Sequence, residues 1–291
     1  MEQDEMLKSE KESVEQQAAA AAGEDDAGAN EDDAGEEASA GATGEEAGAG
    51  EGEEPAPAEP SVLAEVLESR ATFYEMLSSL YFKPLTQEEI DHMAETDFSA
   101  YRELGGDFAD GFNDIYRYLR RRNTGTRQDL AVDFTGAFTG TSAWEGKTAV
   151  PYKSVFTSEE GLMYQEGYHE VAAAFRHEAI KRREGLDWPD DHLSFMCQFM
   201  AIMARRVEED LEAGDYEKAK KDLNSSRDFL DKHIASWFED FADIANKLLK
   251  TRFYRGVIKI TRGYIKLDRE TLDDLLEEVE GMEADEQPEE E

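Results

Sequence analysis

Between residues 61 and 272 the apolar side chains recur at steps of three and four residues, which is the spacing of one face of an α-helix. The first run ends before Pro84 and has these apolar members: Val62, Leu63, Val66, Leu67, Phe73, Tyr74, Leu77, Leu80 and Tyr81. No segment alternates apolar and polar residues as a strand does, and no helix–strand succession indicates a parallel sheet. The pattern predicts an all-α fold, with residues 61–272 forming one helical-bundle domain that buries roughly 70% of its unfolded surface.

The negative charge of the chain is concentrated at its two ends. The sequence has 69 Asp and Glu against 31 Lys and Arg, and residues 1–60 hold 20 of the acidic residues and 2 of the basic ones. Because residues 1–60 contain no aromatic side chain, they lack the apolar surface that offsets ordering entropy, and we predict that they are disordered. Residues 273–291, with 11 acidic and no basic residues, are predicted to be an acidic helix end and tail. No basic face is left for phosphate, so nucleic acid is disfavoured as a partner.

The number of cysteines and the hydropathy of the chain limit the cellular compartments to which the protein is expected to belong. Cys197 is the single cysteine, which excludes an internal disulfide and a Cys-rich zinc site. The acidic N-terminus is unlike that of a secretory leader. The longest uncharged stretches of the central domain, 134–144 and 195–204, have about half of the ~18–20 residues that span a bilayer. We expect a soluble, cytoplasmic protein without stable membrane insertion.

Local signals predict several helix boundaries in the first two thirds of the domain. Thr86 and Glu89 have the spacing of a capping box. A helix is predicted from Ser158 to about Arg183, and Pro189 is predicted to lie in the first turn of the next helix.

The C-terminal third is predicted to be helical throughout. Residues 215–250 have helical periodicity with a break expected near Lys232. Two separate helices are predicted after it, at about 253–267 and 271–279.

Residues 140–148 contain glycines and a Lys-Thr pair in the order of a phosphate-binding loop. The spacing between Gly140 and Gly146 is one residue too long, and Pro151 stands where the following helix has to begin. Without a helix N-terminus there is no cradle of amide groups for phosphate, so we interpret the segment as an ordinary loop.

Two Glu-x-x-His pairs, Glu89/His92 and Glu166/His169, have the spacing used in di-iron helical bundles. The first pair lies on a short polar helix, and the second adjoins a glycine that weakens its helix. Cys197 lies within an apolar stripe, where a thiol usually acts as a small hydrophobe. We therefore predict no catalytic residue, no metal and no cofactor, and we expect that the chain is not an enzyme.

Two segments are not explained by packing alone. The long stretch 134–156 combines aromatic with turn-forming residues, and a loop of this length in a compact domain is often functional. Residues 188–192, Trp-Pro-Asp-Asp-His, place two carboxylates and an imidazole at a helix start. An Asp there also has a structural interpretation as the helix N-cap, and the sequence leaves both alternatives open.

Five short motifs lie in order along residues 62–272. They are Ser69, Arg70, Phe73, Tyr74, Leu80, Tyr81 and Pro84; then Asp133, Phe134, Phe138 and Gly140; then Pro151, Tyr152, Ser154, Val155 and Phe156; then Pro189, Asp191, His192, Leu193, Phe199 and Met200; and finally Phe229, Leu230, His233, Ile234 and Trp237. In this order and spacing they resemble the TorD/DmsD family of cytoplasmic chaperones for twin-arginine-exported molybdoenzymes.

The resemblance implies an all-helical bundle whose N- and C-terminal halves meet at a hinge loop. It implies a system-specific chaperone that binds the twin-arginine signal peptide and apo form of a molybdopterin oxidoreductase, assists cofactor insertion and delays export until folding is complete. Two features depart from the family pattern: Ala137 stands where the family usually has Leu, and the tail 1–60 is additional.

The resemblance also implies a set of signal-peptide-binding residues. Asp191 and His192 match the central pair of the hinge motif, Pro189 sets its turn, and Arg70 matches a first-helix position near the peptide groove. The positions that match groove-lining residues, together with their neighbours in the two segments, are Phe134, Phe138, Trp144, Pro151, Tyr152, Ser154 and Phe156.

The chemistry of the residues fits this role independently. A twin-arginine leader offers two guanidinium groups followed by an apolar segment, so Asp190 and Asp191 are expected to pair with arginine while aromatic side chains take the apolar part. Two other classes stay open: an acidic helical scaffold that binds through its tails, and a metal-dependent helical enzyme. A monomer and a domain-swapped dimer are both compatible with the sequence.

Overall fold

The computed structural model of the protein describes residues 61–183 and 185–286, so the predicted disordered tail 1–60 lies outside the described residues. Eleven α-helices and one π-helix occupy this part of the chain: α1 Val62–Phe82, α2 Gln87–Glu95, α3 Ser99–Glu103, α4 Gly106–Leu119, α5 Thr126–Phe138, α6 Lys153–Thr157, α7 Glu166–His177, α8 Leu193–Glu212, α9 Tyr216–Phe229, the π-helix Leu230–Ala235, α10 Ser236–Leu248 and α11 Arg252–Glu286. No strand occurs among the described residues, apart from two isolated bridges. The predicted all-α fold is confirmed.

The core is built where the apolar faces of the long helices meet. α1 packs along α8 and α4 packs along α11, while α9 lies against both α8 and α11. The predicted capping box is present, since the Glu89 carboxylate accepts a hydrogen bond of 2.7 Å from the Thr86 amide. No described helix is both long enough and apolar enough to cross a membrane.

The α4–α11 contact brings two backbones together at glycine positions. A Cβ placed on Gly111 would lie 2.6 Å from the carbonyl oxygen of Gly256, and a Cβ on Gly256 would lie 2.8 Å from the carbonyl oxygen of Gly111. Such separations are too short for any side chain, so glycine at both positions sets how closely the two helices approach.

Several predicted boundaries are wrong, and three of them have a local reason. Residues 158–165 are a loop, because Gly161 and Tyr164 have positive φ angles of 66° and 61°, and α7 starts only at Glu166. α8 begins at Leu193, so Pro189 precedes the helix and does not lie in its first turn. The two helices predicted over 253–279 are one continuous α11, whose buried apolar stripe continues beyond residue 267.

The break predicted near Lys232 is a change of helix type. Residues 230–235 form a π-helix that continues α9 into α10 without a turn, with Leu230 and Ile234 buried. A π-helix inserts an extra residue into the helical ladder and often marks a functional position. Here it directs His233 toward Lys153 of α6.

Candidate functional site

Residues 151–154 and 189–193, far apart in sequence, are joined by backbone hydrogen bonds. The Lys153 amide donates to the Asp191 carbonyl at 3.0 Å, and the Leu193 amide donates to the Pro151 carbonyl at 2.8 Å. Tyr152 and His192 form an isolated antiparallel bridge between these contacts. The two segments that the sequence singled out therefore meet, and we call their contact the junction.

Asp191 holds the junction together from inside. One oxygen of its carboxylate accepts a 2.7 Å hydrogen bond from the Ser154 amide, near the start of α6, and the other oxygen has no hydrogen-bond partner. The residue is fully buried, and burial raises the pKa of its carboxyl, opposed by hydrogen bonding to Ser154. In this conformation the Asp191 carboxylate is out of reach of a peptide arginine, contrary to the expected direct pairing.

His192 caps α8. Its Nδ1 accepts a hydrogen bond of 3.2 Å from the Ser194 amide, so the N-cap is the imidazole and not one of the aspartates. Burial lowers the pKa of His192 to about 3, and the ring is therefore neutral near pH 7. The imidazole lies between two aromatic rings, with centroid distances of 4.8 Å to Tyr152 and 5.0 Å to Trp188.

A row of aromatic side chains extends across the junction. Phe82 contacts Trp188 at 5.0 Å and Phe195 at 6.1 Å between ring centroids, and Tyr152 continues the row on the other side of His192. Burial raises the pKa of Tyr152 to about 12, and electrostatic interactions with Asp191 and the nearby Tyr164 act in the same direction. Trp188 is 40% exposed and Tyr164 is 52% exposed. We call Tyr164, Tyr152, Trp188, Phe82 and Phe195 the aromatic row.

Phe134 and Phe138 do not line a groove. Both are buried in the core, where the two rings contact each other at 5.3 Å and each contacts Tyr254. The reason is that the apolar face of α5 turns inward against α10 and α11. Asp133 of the same motif is also structural, because its carboxylate accepts the Lys250 and Thr251 amides at 2.8 Å each.

Trp144 and Phe156 lie at different depths. Trp144 is 45% exposed in a short turn closed by mutual backbone hydrogen bonds with Lys147. Phe156 is partly buried and stacks on Trp237 with centroids 5.6 Å apart. Only Phe156 of these two is tied to the elements that flank the junction.

Arg70 is an interior residue. Its guanidinium pairs with Asp268 of α11 through contacts of 2.6 Å and 3.1 Å, and the Tyr74 hydroxyl donates to the same carboxylate at 2.6 Å. Burial by itself would lower the pKa of Arg70, but Asp268 raises it above its usual value. The structure therefore separates Arg70 from the predicted binding residues and places it in a buried link between α1 and α11.

Asp190 does face solvent in part, and it already holds a guanidinium. Its carboxylate forms an ion pair with Arg182, which lies in the connector between α7 and α8. Arg182 also donates to the backbone carbonyls of Leu186, at 2.7 Å, and Trp188. Asp190 was expected to pair with an arginine of the leader, and in this structure it pairs with an arginine of its own chain.

Several residues near the junction were missed by sequence reasoning. Leu162, Met163 and Tyr164 are three consecutive exposed apolar residues. Glu159, Glu160 and Glu166, all exposed, flank them. The apolar triplet is visible in the sequence, but its assignment to a continuous helix hid the fact that it forms a loop.

Lys153 is the centre of a second polar group that sequence reasoning missed. Its buried ammonium contacts Glu170 and lies 2.9 Å from Nδ1 of His233 on the π-helix. Burial and the Lys153 charge lower the pKa of His233 to about 4. The group links α6, α7 and the π-helix behind the junction.

The metal alternative finds no support in the geometry of the described residues. They contain no group of three or more His, Cys, Asp or Glu side chains arranged to hold an ion. Glu89, from the first Glu-x-x-His pair, is engaged in the cap of α2. Cys197 is buried, and burial raises the pKa of its thiol.

Comparison with known proteins finds relatives that agree with the resemblance seen in the sequence. A family model described as nitrate reductase delta subunit matches residues 102–243. Chaperone protein TorD of Vibrio vulnificus strain CMCP6 is 28% identical over 215 residues, covering 70% of this chain and 95% of that protein. Its namesake from Vibrio cholerae serotype O1 strain ATCC 39541 is 25% identical over 216 residues, covering 72% and 95%. Both comparisons point the same way, and the chain is similar to members of the TorD/DmsD family.

The names of the relatives bear on the predicted activity. The TorD relatives are named as chaperones, which supports the prediction that this chain is a chaperone and not an enzyme. The predicted resemblance to the TorD/DmsD family is therefore confirmed, whereas the predicted binding residues and the hinge stay predictions.

Proposed function

We propose that this chain is a system-specific chaperone of a molybdopterin oxidoreductase precursor in the cytoplasm. It binds the twin-arginine leader and the apo form of that enzyme, assists insertion of the cofactor and delays export until folding is complete. The observation that carries the proposal is the aromatic row, a partly exposed surface held in place by the junction.

The exposed aromatic residues match the apolar part of a leader. Aromatic side chains that are anchored at one end and open at the other bury large area at little entropic cost, so they dominate many peptide interfaces. Tyr164 and Trp188 are the most exposed residues of the row, and Leu162 and Met163 enlarge the surface beside Tyr164.

The charge around the row matches the basic part of a leader. Glu159, Glu160 and Glu166 stand beside the exposed apolar triplet, and the whole chain has a formal net charge of −38. Carboxylates form strong bidentate contacts with guanidinium groups, and an acidic field speeds the encounter with a basic peptide. Because salt screens exposed charges, we expect leader binding to weaken as ionic strength rises.

In this proposal Asp191 and His192 position the surface and do not contact the peptide. Asp191 fixes the start of α6 and thereby Tyr152, while His192 caps α8 and separates Tyr152 from Trp188. Both residues act through the geometry of the junction, so their replacement is expected to weaken binding together with local stability.

The test is a calorimetric titration of the full chain with a synthetic twin-arginine leader peptide, which measures the Kd of the complex. Tyr164→Ala and Trp188→Ala are each expected to raise the Kd about tenfold, since truncating an aromatic anchor typically costs about 1–2 kcal/mol. Tyr116→Ala, on α4 and 36% exposed, is the matched control and is expected to change the Kd less than about twofold.

Two results would contradict the proposal. Equal Kd values for wild type, Tyr164→Ala and Trp188→Ala would remove the aromatic row from the binding surface. Loss of partner capture on deletion of residues 1–60, with these variants unaffected, would favour the acidic scaffold in place of a leader-binding chaperone.

A further inference from the structure

A cleft opens directly beside the aromatic row. It has a volume of about 530 Å³, and Phe82 and Phe195 of the row form part of its wall. Phe175, Phe199 and Ile202 add apolar surface, while Arg182 and Leu186 of the connector between α7 and α8 line the remaining side. The cleft therefore combines an apolar floor with a basic connector.

Arg182 is held in this cleft by the contacts that a peptide arginine would make. It forms an ion pair with Asp190, donates to the carbonyls of Leu186 and Trp188, and its guanidinium carbon lies 6.0 Å from the centroid of the Phe195 ring. One guanidinium thus contacts a carboxylate, two carbonyl groups and an aromatic face at the edge of the row.

The pair is accessible enough to be exchanged. The side chain of Arg182 is 30% exposed and that of Asp190 is 15% exposed. Ion pairs that remain in contact with water contribute little net stability, so an external guanidinium can replace the internal one at small cost. A deeply buried pair, such as Arg70 with Asp268, would not permit such exchange.

We propose that Arg182 is an intramolecular competitor of the leader, which occupies Asp190 in the free protein and is displaced when a leader arginine binds there. This inference rests on the proposed function and adds a regulatory contact to it. After displacement the apolar segment of the leader gains the surface formed by Phe82 and Phe195, which are partly exposed in the cleft. The competitor lowers the apparent affinity of the free chaperone for basic peptides that cannot also fill the apolar cleft.

Two substitutions at the same ion pair are expected to act in opposite directions. Arg182→Gln removes the competitor and should lower the Kd for the leader peptide about three- to fivefold, because the fraction of protein with a free site rises. Asp190→Asn removes the shared acceptor and should raise the Kd about fivefold or more. Loss of local order alone would weaken binding in both variants.

A neighbouring arginine provides the control for charge. Arg183 is exposed and forms no ion pair with a described residue, so Arg183→Gln changes the net charge as Arg182→Gln does without releasing Asp190. Arg183→Gln is expected to change the Kd less than about twofold. Thermal unfolding of each variant verifies that the fold is retained.

The experiment is a calorimetric titration of wild type, Arg182→Gln, Arg183→Gln and Asp190→Asn with the same leader peptide at one ionic strength. Tighter binding by Arg182→Gln alone, with weaker binding by Asp190→Asn, supports the competitor. If wild type binds and Arg182→Gln binds no more tightly than Arg183→Gln, the competitor is overturned while the proposed function stands. If neither wild type nor Arg182→Gln binds the leader, the proposed function itself is overturned, and the competitor with it.

Discussion

Replacing Arg70 with methionine tests whether this residue is part of the core or of the peptide site. Arg70 and Asp268 are both nearly inaccessible, and three hydrogen bonds converge on the Asp268 carboxylate. Removing one partner of such a pair leaves a buried charge uncompensated, which typically costs about 3–5 kcal/mol. With a urea m-value of about 2–3 kcal/mol per M, the midpoint of Arg70→Met unfolding is expected to fall by roughly 1–2 M.

The double variant Arg70→Met/Asp268→Leu completes the cycle. It removes both charges and leaves only the Tyr74 hydroxyl without its acceptor, which costs about 1–3 kcal/mol. We therefore expect the double variant to be more stable than Arg70→Met, as measured by urea unfolding followed by circular dichroism. The reasoning is refuted if Arg70→Met unfolds at the wild-type midpoint yet loses leader binding, because Arg70 would then face the peptide.

Two further predictions concern single positions. Gly256→Ala should destabilise the fold by about 1–3 kcal/mol, because the new Cβ meets the carbonyl oxygen of Gly111 at 2.8 Å. Gly281→Ala in the same helix meets nothing within 4 Å and should stabilise the fold by about 0.5–1 kcal/mol. Equal effects of the two substitutions on the melting temperature would contradict this packing. The pKa of His192 is about 3 when folded, below its unfolded value of about 6.5, so its contribution to stability is complete above pH 6.5 and is lost as pH falls toward 3. His192→Asn keeps an N-cap acceptor, so between pH 6.5 and 4 this variant should lose less stability than wild type, by on the order of 3 kcal/mol. His177→Asn, at an exposed position, should lose stability as wild type does. Parallel pH profiles of stability for the two variants would refute the neutral buried imidazole.

Much of the helical architecture could be predicted from the sequence because its signals are local. The apolar steps of three and four predicted α1 to within a residue, and Thr86 with Glu89 predicted the start of α2. The boundaries that failed depended on backbone angles, such as the positive φ of Tyr164, which residue type does not announce.

The direction of polar and aromatic side chains was the hardest feature to predict. Asp190 and Asp191 are adjacent and chemically identical, yet one is fully buried against Ser154 and the other pairs with Arg182 near the surface. Phe134 matched a groove position in sequence but lies in the core, while Tyr164 was assigned to a helix and lies exposed.

The sequence by itself determined the all-α class, the position of most helices and the two segments that form the junction. Only the tertiary structure decided that these segments hydrogen-bond to each other, that Arg70 meets Asp268 across 198 positions, and that Arg182 occupies Asp190. Helix formation depends on neighbours within about four residues, and the sequence displays these directly. Burial and ion pairing depend on which distant side chain is packed alongside, and this is settled only when the whole core has formed.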